Sequence, residues 1–242
     1  MSLLRRQKII TVSLILYWPT LFVLSHIPVP QFVREAGVSD KCLHFLAYLI
    51  LVFLFWFAVK PTRKVNWRRL TAWWILLVVA GYGAADELIQ RYVGRTCDIE
   101  DFAANLAGII TGLVLLSFFT FWPAALLVAG ATIFGLTNIA RANLAELMPA
   151  LNAMFHLFSY AIFTMLWLQV IHLHLTLKPP KLKWLVLSLT LPLALLLTTK
   201  VFSVIIGRTF GPMDVILAVS GIATVVAASY LTTLFRRRTT SR

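Results

Sequence analysis

The chain has 242 residues, of which 60% are hydrophobic and 13% are charged, and its formal net charge is +13. Soluble globular domains are about 45–50% apolar and about 25% charged, so this composition excludes an ordinary soluble domain and indicates an integral membrane protein. Apolar runs recur along the whole length, so a cleaved signal peptide does not account for the first of them.

Eight apolar windows of about 20 residues predict eight transmembrane helices. In chain order the windows are 9–26, 42–59, 70–90, 102–121, 123–139, 153–173, 184–199 and 214–235. Only the neighbourhood of Trp122 and Pro123 separates the fourth window from the fifth, and we expect a tight reversal there. The predicted fold class is therefore all-α, a polytopic membrane protein with about eight transmembrane helices.

Basic residues collect on one predicted side of the membrane. An even number of spans places both termini on that side, which receives 15 of the 22 Lys and Arg residues, whereas the other side receives all nine acids. The positive-inside rule makes the basic side cytoplasmic. We therefore predict a multi-pass protein of the plasma (inner) membrane with cytoplasmic termini and an extracytoplasmic acidic face. Topology and anionic lipid explain the basic excess, so we predict no nucleic-acid partner.

The sequence resembles itself at a nearly constant offset. The segment 40–48 (DKCLHFLAY) matches 152–160 (NAMFHLFSY) at an offset of 112 residues. A second set repeats at an offset of 113, matching Gly94-Arg95-Thr96, Asp101 and Gly108 with Gly207-Arg208-Thr209, Asp214 and Gly221. Units of four spans point the same way across the membrane, so we predict two parallel four-helix repeats. The predicted domains are 1–121, which carries the polar motifs, and 122–242, a degenerate copy.

Acidic and amide side chains stand where predicted helices begin. Asp40 and Asn152 open the second and sixth spans, and Asp98 and Asp214 open the fourth and eighth. Side-chain oxygens at these positions accept hydrogen bonds from free backbone N–H groups, and negative charge there complements the helix dipole. We expect helix capping at all four positions.

His44 and Tyr48 are four residues apart and share a helix face with Asp40. Two interpretations stay open. The pair can form interhelical hydrogen bonds at the membrane interface, where tyrosine is common. Alternatively, His44 belongs to a functional site, because ionisable residues within a membrane are commonly functional.

Asp86, Glu87 and Gln90 lie near the C-terminal end of the third span, where the helix dipole disfavours negative charge. Capping therefore does not explain them. Two adjacent carboxylates at this depth require compensation by cations, by a metal or by protonation. The cationic candidates are Arg91, four residues after Glu87, together with Arg95 and His44 across the site.

One stripe of the fourth span carries Asp101, Asn105, Gly108 and Gly112. The two glycines predict close packing against another helix. Asp101 and Asn105 extend the same face into a polar pocket, and the planar fork of Arg95 suits a phosphate or a carboxylate.

The sequence shows no CxxC, HExxH, nucleophile-elbow or phosphate-loop motif, so we predict no metal site, and no cofactor is indicated. Cys42 and Cys97 both fall on the predicted outer side, where an oxidising compartment permits a disulfide. Two separate thiols are the alternative.

The first half resembles the VanZ-like family of small bacterial membrane proteins. The resembling elements are Asp40-Lys41 with His44 and Tyr48, Asp86-Glu87 with Gln90, and Arg95 with Asp101, Asn105, Gly108 and Gly112. They cover one four-span unit, about 9–121. The resemblance implies a multi-pass protein of the bacterial envelope and a link to resistance against the glycopeptide teicoplanin. It implies no particular biochemical activity.

Together these patterns predict an outer-facing polar pocket that binds a lipid-linked or amphiphilic envelope molecule, with a reaction on that molecule left open. The candidate catalytic residues are Asp86, Glu87 and His44, and the candidate binding residues are Lys41, Tyr48, Gln90, Arg95, Asp101 and Asn105. The expected partner is a membrane lipid or a lipid-linked precursor, with envelope-biosynthesis proteins as further candidates. The alternative functions are a lipid transporter or flippase and a non-catalytic scaffold for envelope enzymes.

Overall fold

The structure is a computed structural model that describes residues 3–27, 40–93, 98–138, 149–175, 179–208 and 210–240. Within these ranges it contains helices and no strand, so the predicted all-α class is confirmed. The helices are α1 (Leu3–His26), α2 (Asp40–Val59), α3 (Leu70–Gln90), α4 (Ile99–Phe118), α5 (Phe121–Asn138), α6 (Pro149–His174), α7 (Leu182–Ile205) and α8 (Pro212–Thr240). A short 3₁₀ turn, Arg91–Val93, follows α3.

Each of the eight helices contains a segment long and apolar enough to cross a membrane. Many of their large apolar side chains are exposed, as Ile15, Leu77 and Leu197 illustrate, which suits contact with lipid. The chain is therefore a multi-pass membrane protein. The helix α7 continues to Ile205, beyond the predicted end at 199. The polar residues near position 199 interrupt the apolar run, but they do not interrupt the helix.

The reversal between α4 and α5 lies at Phe119 and Thr120, not at Trp122 and Pro123 as predicted. Both of the latter residues belong to the first turn of α5. A proline is tolerated there because the first backbone N–H groups of a helix have no partner within the helix.

The helix starts largely follow the capping prediction. Asp98 is the N-cap of α4, and its side chain accepts a hydrogen bond from the backbone N–H of Glu100 at 2.9 Å. Asp214 acts from inside the first turn of α8, where its Oδ2 accepts the N–H of Gly211 at 2.8 Å. This is the backward half of a capping box, in which the third helical residue reaches the N-cap. Asp40 is the first residue of α2, and Asn152 lies in the first turn of α6.

The described residues form two compact units, one through Ala124 and one from Ala125 onward. In the first unit α2 packs along α4, with contacts from α1 and α3. In the second unit α6 packs along α8, and α7 joins them around a core that includes Tyr160, Ile171 and Trp184. The duplication of one ancestral unit stays a prediction.

Candidate functional site

One end of the first unit collects a set of polar side chains that we call the polar cluster. The C-terminal ends of α1 and α3 meet the N-terminal ends of α2 and α4 there, because alternate helices of a bundle run in opposite directions. The members of the polar cluster are Ser25, His26, Asp40, His44, Asp86, Glu87, Gln90, Asp101 and Asn105.

Asp86 is buried, with 1% of its surface exposed, and both of its carboxylate oxygens have partners. Ser25 donates its hydroxyl to Oδ1 at 2.9 Å, and Gln90 donates its side-chain amide to Oδ2 at 3.3 Å. The ring Nδ1 of His26 lies 3.7 Å from Oδ1. Asp86 therefore joins the end of α1 to the end of α3.

Asn105 links Glu87 to His44, and all three side chains are buried. The amide nitrogen of Asn105 donates to Oε1 of Glu87 at 3.3 Å. Its amide oxygen lies 3.0 Å from Nδ1 of His44. A carboxylate only accepts hydrogen bonds, so Glu87 fixes which end of the Asn105 amide faces it. The amide oxygen then faces His44 and accepts a hydrogen bond from the N–H at Nδ1. Oε2 of Glu87 is buried and has no hydrogen-bond partner among the described residues.

The other ring nitrogen of His44 lies near two carboxylates. Its Nε2 is 3.9 Å from Oδ1 of Asp40 and 3.9 Å from Oδ2 of Asp101, and these distances are too long for hydrogen bonds. His44 and Asp101 are buried, whereas the side chain of Asp40 is 40% exposed. Asp40 therefore forms the accessible rim of the polar cluster.

Lys41 and Tyr48 occupy different surroundings from the rest of the predicted site. Lys41 forms an ion pair with Glu100 on the surface, where such pairs contribute little to stability. Tyr48 is buried one turn beyond His44 and stacks on Tyr82 at 6.0 Å between ring centroids. Its hydroxyl has no hydrogen-bond partner among the described residues.

Residues 6–120 match the sequence model of the VanZ/LLP1 family. Over these residues the chain is a VanZ-like membrane protein. The match ends close to the limit of the first unit and includes every member of the polar cluster. No curated protein and no solved structure matches the chain.

Two residues of the sequence prediction lie outside the described part of the VanZ-like unit. Arg95, the predicted anion-binding residue, belongs to the connection between Val93 and Asp98, and so does Cys97. The anion-binding role of Arg95 and the pairing of Cys42 with Cys97 stay predictions.

Sequence reasoning omitted three members of the polar cluster from the VanZ-like site. Ser25 and His26 end α1. Asp40 was predicted to cap α2 and to share a face with His44, but it was not among the predicted site residues, although its carboxylate approaches His44. The available signal was the position of Ser25 and His26 at the C-terminal end of the first apolar run, the end predicted to lie on the same side as the other motifs. Their partner on α3 is 61 residues away in sequence, so only packing identifies it.

The second unit contains a reduced version of this arrangement. Nε2 of His156 lies 4.0 Å from Oδ1 of Asp214, as His44 lies near Asp101 in the VanZ-like unit. Asn152 stands at the position that corresponds to Asp40, and its amide donates to Asp214 at 2.6 Å. The corresponding site in the second unit thus has one carboxylate where the VanZ-like unit has two.

Proposed function

We propose that the VanZ-like unit binds the polar part of an amphiphilic envelope molecule, either a lipid headgroup or a lipid-linked precursor. The observation that carries this proposal is the polar cluster, which joins buried carboxylates through His44 to a rim at Asp40. Ionisable groups within a membrane are costly and are commonly retained for function. Carboxylate and imidazole groups suit the hydroxyl and amine groups of a sugar or a headgroup.

The surroundings of the rim fit an amphiphilic ligand. Leu88, Tyr92 and Ile99 lie at the same end of the VanZ-like unit and are 60%, 87% and 76% exposed. Such apolar surface beside a polar rim would hold the chain of a lipid while the rim holds its headgroup. Arg95 lies in the same α3–α4 connection, where its guanidinium would hold an anionic group of that ligand.

The distribution of basic residues supports an extracytoplasmic position for this end of the unit. In that orientation both termini are cytoplasmic, and the ligand enters from the outer leaflet or from the envelope. A headgroup of the outer leaflet lies at the same depth as the helix ends, so the proposed site needs no passage through the bilayer.

The binding proposal is tested with protein purified in detergent and analysed by native mass spectrometry. The probes are a bacterial polar lipid extract and a polyprenyl diphosphate that carries a disaccharide. We expect the wild-type chain to retain one of these probes and the double variant D40N/D101N to retain at least about tenfold less. His156→Gln is the matched control, because it alters the corresponding histidine in the second unit and should leave retention unchanged. Equal retention by all three proteins would refute the proposal.

A catalytic role for Asp86 and Glu87 is a separate step of the proposal. Both are buried beneath the rim, so they would act on a group of the ligand that enters the polar cluster. If they serve as acid and base, Asp86→Asn and Glu87→Gln abolish turnover of the bound lipid while folding and binding persist. Unchanged turnover in both variants would leave binding as the function of the site.

One observation favours the alternative of a non-catalytic scaffold. Both oxygens of Asp86 are bonded within the unit, which is what a structural cluster requires. The scaffold predicts that polar-cluster variants with intact folding keep full activity in cells. Susceptibility to teicoplanin, the phenotype that the VanZ resemblance implies, supplies the cellular readout. A flippase is less favoured because the polar cluster lies at one end of the helices, whereas transport sites usually lie near the bilayer midplane.

A further inference from the structure

Three buried carboxylates of the polar cluster have histidines as their ion-pair partners in the described part of the unit. Within the described residues, Asp86, Glu87 and Asp101 form no ion pair with lysine or arginine. Their nearest ionisable partners of opposite sign are the imidazoles of His26 and His44. A buried carboxylate without a close positive charge is strongly unfavourable, so these groups need either a proton or a bound cation.

The neighbour of His44 on α4 determines which ring nitrogen carries the proton of the neutral imidazole. Glu87 accepts a hydrogen bond from the side-chain amide of Asn105. The amide oxygen of Asn105 therefore accepts a hydrogen bond from the N–H at Nδ1 of His44. Neutral imidazole carries one proton, so Nε2 then presents a lone pair. An oxygen of Asp40 and an oxygen of Asp101 each lie 3.9 Å from that nitrogen. One imidazole nitrogen and two carboxylates therefore border the same small region.

The spacing of these three atoms suits a metal ion. Bonds of about 2.0–2.2 Å from zinc to nitrogen and oxygen allow two ligand atoms to lie at most about 4.2 Å apart. Both 3.9 Å distances from Nε2 fall inside that limit. All three ligand atoms lie within 4.8 Å of one another, so a bound ion would have to draw the two aspartate oxygens closer together.

We propose that Asp40, His44 and Asp101 bind a divalent transition-metal cation of the zinc type at the rim of the polar cluster. Nε2 of His44 and one oxygen of each aspartate supply three ligands, and water occupies the remaining positions. One imidazole with two carboxylates is a donor set that zinc and manganese accept. Asn105 orients the imidazole through Nδ1, the arrangement that metal-bound histidines commonly show.

The second unit provides an internal comparison. Its histidine and aspartate stand in the same relation, with Nε2 of His156 at 4.0 Å from Oδ1 of Asp214. Asn152 replaces the second carboxylate, and its amide donates to that same oxygen at 2.6 Å. A hydrogen-bond donor therefore occupies the place that the proposal gives to the cation. Among the described residues, the first unit alone combines a lone pair on its histidine with two carboxylates, so one site per chain is expected.

The proposal is tested by zinc binding to the full chain, purified without a histidine tag and stripped with chelator. Bound zinc is measured by elemental mass spectrometry after equilibration with buffered free zinc and gel filtration. We expect one zinc per wild-type chain. His44→Gln and Asp101→Asn should each raise the dissociation constant by more than about 100-fold, because loss of a residue that only orients a ligand already costs about 10–100-fold. X-ray absorption at the zinc edge should show imidazole scattering that His44→Gln removes.

Two control variants and one substitute ligand variant make the result decisive. His156→Gln should bind zinc like the wild type, because it alters the second unit alone. The double variant H172Q/H174Q should also bind normally, since those histidines lie at the far end of α6. If His44→Gln or Asp101→Asn fails to fold, Asp40→Asn carries the test, because its partly exposed side chain tolerates the change and reproduces the second unit's composition.

A stripped wild-type chain that binds no zinc, manganese or cobalt would overturn the proposal. Binding that the three ligand variants leave unchanged would overturn it in favour of surface adsorption. Zinc binding does not depend on the lipid proposal, because the metal alone is the probe. A wild-type chain that binds zinc but retains neither lipid probe, or one that retains a probe but binds no zinc, therefore separates the two hypotheses.

Discussion

Asn105 connects the buried acid of α3 to the histidine of α2. It is fully buried, and its amide donates to Glu87 while accepting from His44. An aspartate or a leucine of similar size would lose one or both of these bonds. The side chain thus has an orienting role, in addition to the ligand-binding role that the sequence predicts for it.

We expect Asn105→Ala to destabilise the protein by about 1–3 kcal/mol. Interhelical hydrogen bonds within membranes contribute about 0.6 kcal/mol on average and at most about 1.7 kcal/mol, and two are lost here. The measurement is unfolding in detergent by heat or by SDS titration. Ser117→Ala is the control, because its exposed hydroxyl bonds only to the carbonyl of Val114 in its own helix. Equal stability of both variants would show that the Asn105 bonds are not maintained in the membrane protein.

The contrast between Asp98 and Asp86 shows which residue roles the sequence reveals. Asp98 acts on a backbone N–H two residues away, so local pattern was sufficient to predict its cap. Asp86 acts through Ser25, which is 61 residues away. The sequence identified Asp86 as anomalous, because it lies at the end of a helix that disfavours its charge, but it did not identify the partner.

Helix packing in both units depends on glycine at corresponding places. A Cβ at Gly108 of α4 would clash with the carbonyl oxygen of Phe45 in α2, and a Cβ at Gly221 of α8 would clash with the carbonyl oxygen of Leu157 in α6. The clashing atoms belong to the backbone, so no side-chain rotation relieves them. These contacts confirm the sequence prediction that the Gly108 face packs closely against another helix.

We expect Gly108→Ala and Gly221→Ala each to destabilise the protein by about 1–3 kcal/mol, the range typical of an overpacked core. Gly81→Ala is the matched control, because a Cβ there would meet no atom within 4 Å. It should be neutral or stabilising by up to about 1 kcal/mol, since alanine favours the helix over glycine. The three variants are compared by unfolding in the same detergent. A loss of stability at Gly81 as large as at Gly108 would contradict the packing explanation.

Helix limits were predicted less well than helix positions. Hydropathy placed the α4–α5 reversal at Trp122 and Pro123, whereas α4 ends at Phe118 and α5 begins at Phe121. The apolar window continued past the end of α4 because Phe119 and Phe121 are as hydrophobic as the residues inside a transmembrane segment. Backbone geometry ends the helix, and hydropathy carries no information about it.

At the scale of the whole molecule, the distribution of basic residues makes a topological prediction. A fluorescent protein fused to the C-terminus should fluoresce, and alkaline phosphatase at that position should be inactive. Fusions after Lys60 and after Tyr92 differ by the single helix α3, so phosphatase should be inactive at the first and active at the second. The physical reason is the retention of short basic loops in the cytoplasm. Phosphatase activity in the reverse order would invert the topology and place the polar cluster at the cytoplasmic surface.

The sequence by itself determined that this is a multi-pass helical membrane protein, and it located the eight spans and the unusual acids. These properties are local, because the hydropathy of about 20 consecutive residues decides whether a segment can cross a bilayer. Tertiary structure alone decided which helix ends meet, and therefore that Ser25 bonds Asp86 and that Asn105 orients His44 between two aspartates. Apart from the approach of His44 to Asp40 within α2, those contacts join residues about 60 positions apart, and only the packing of four helices brings such side chains close together.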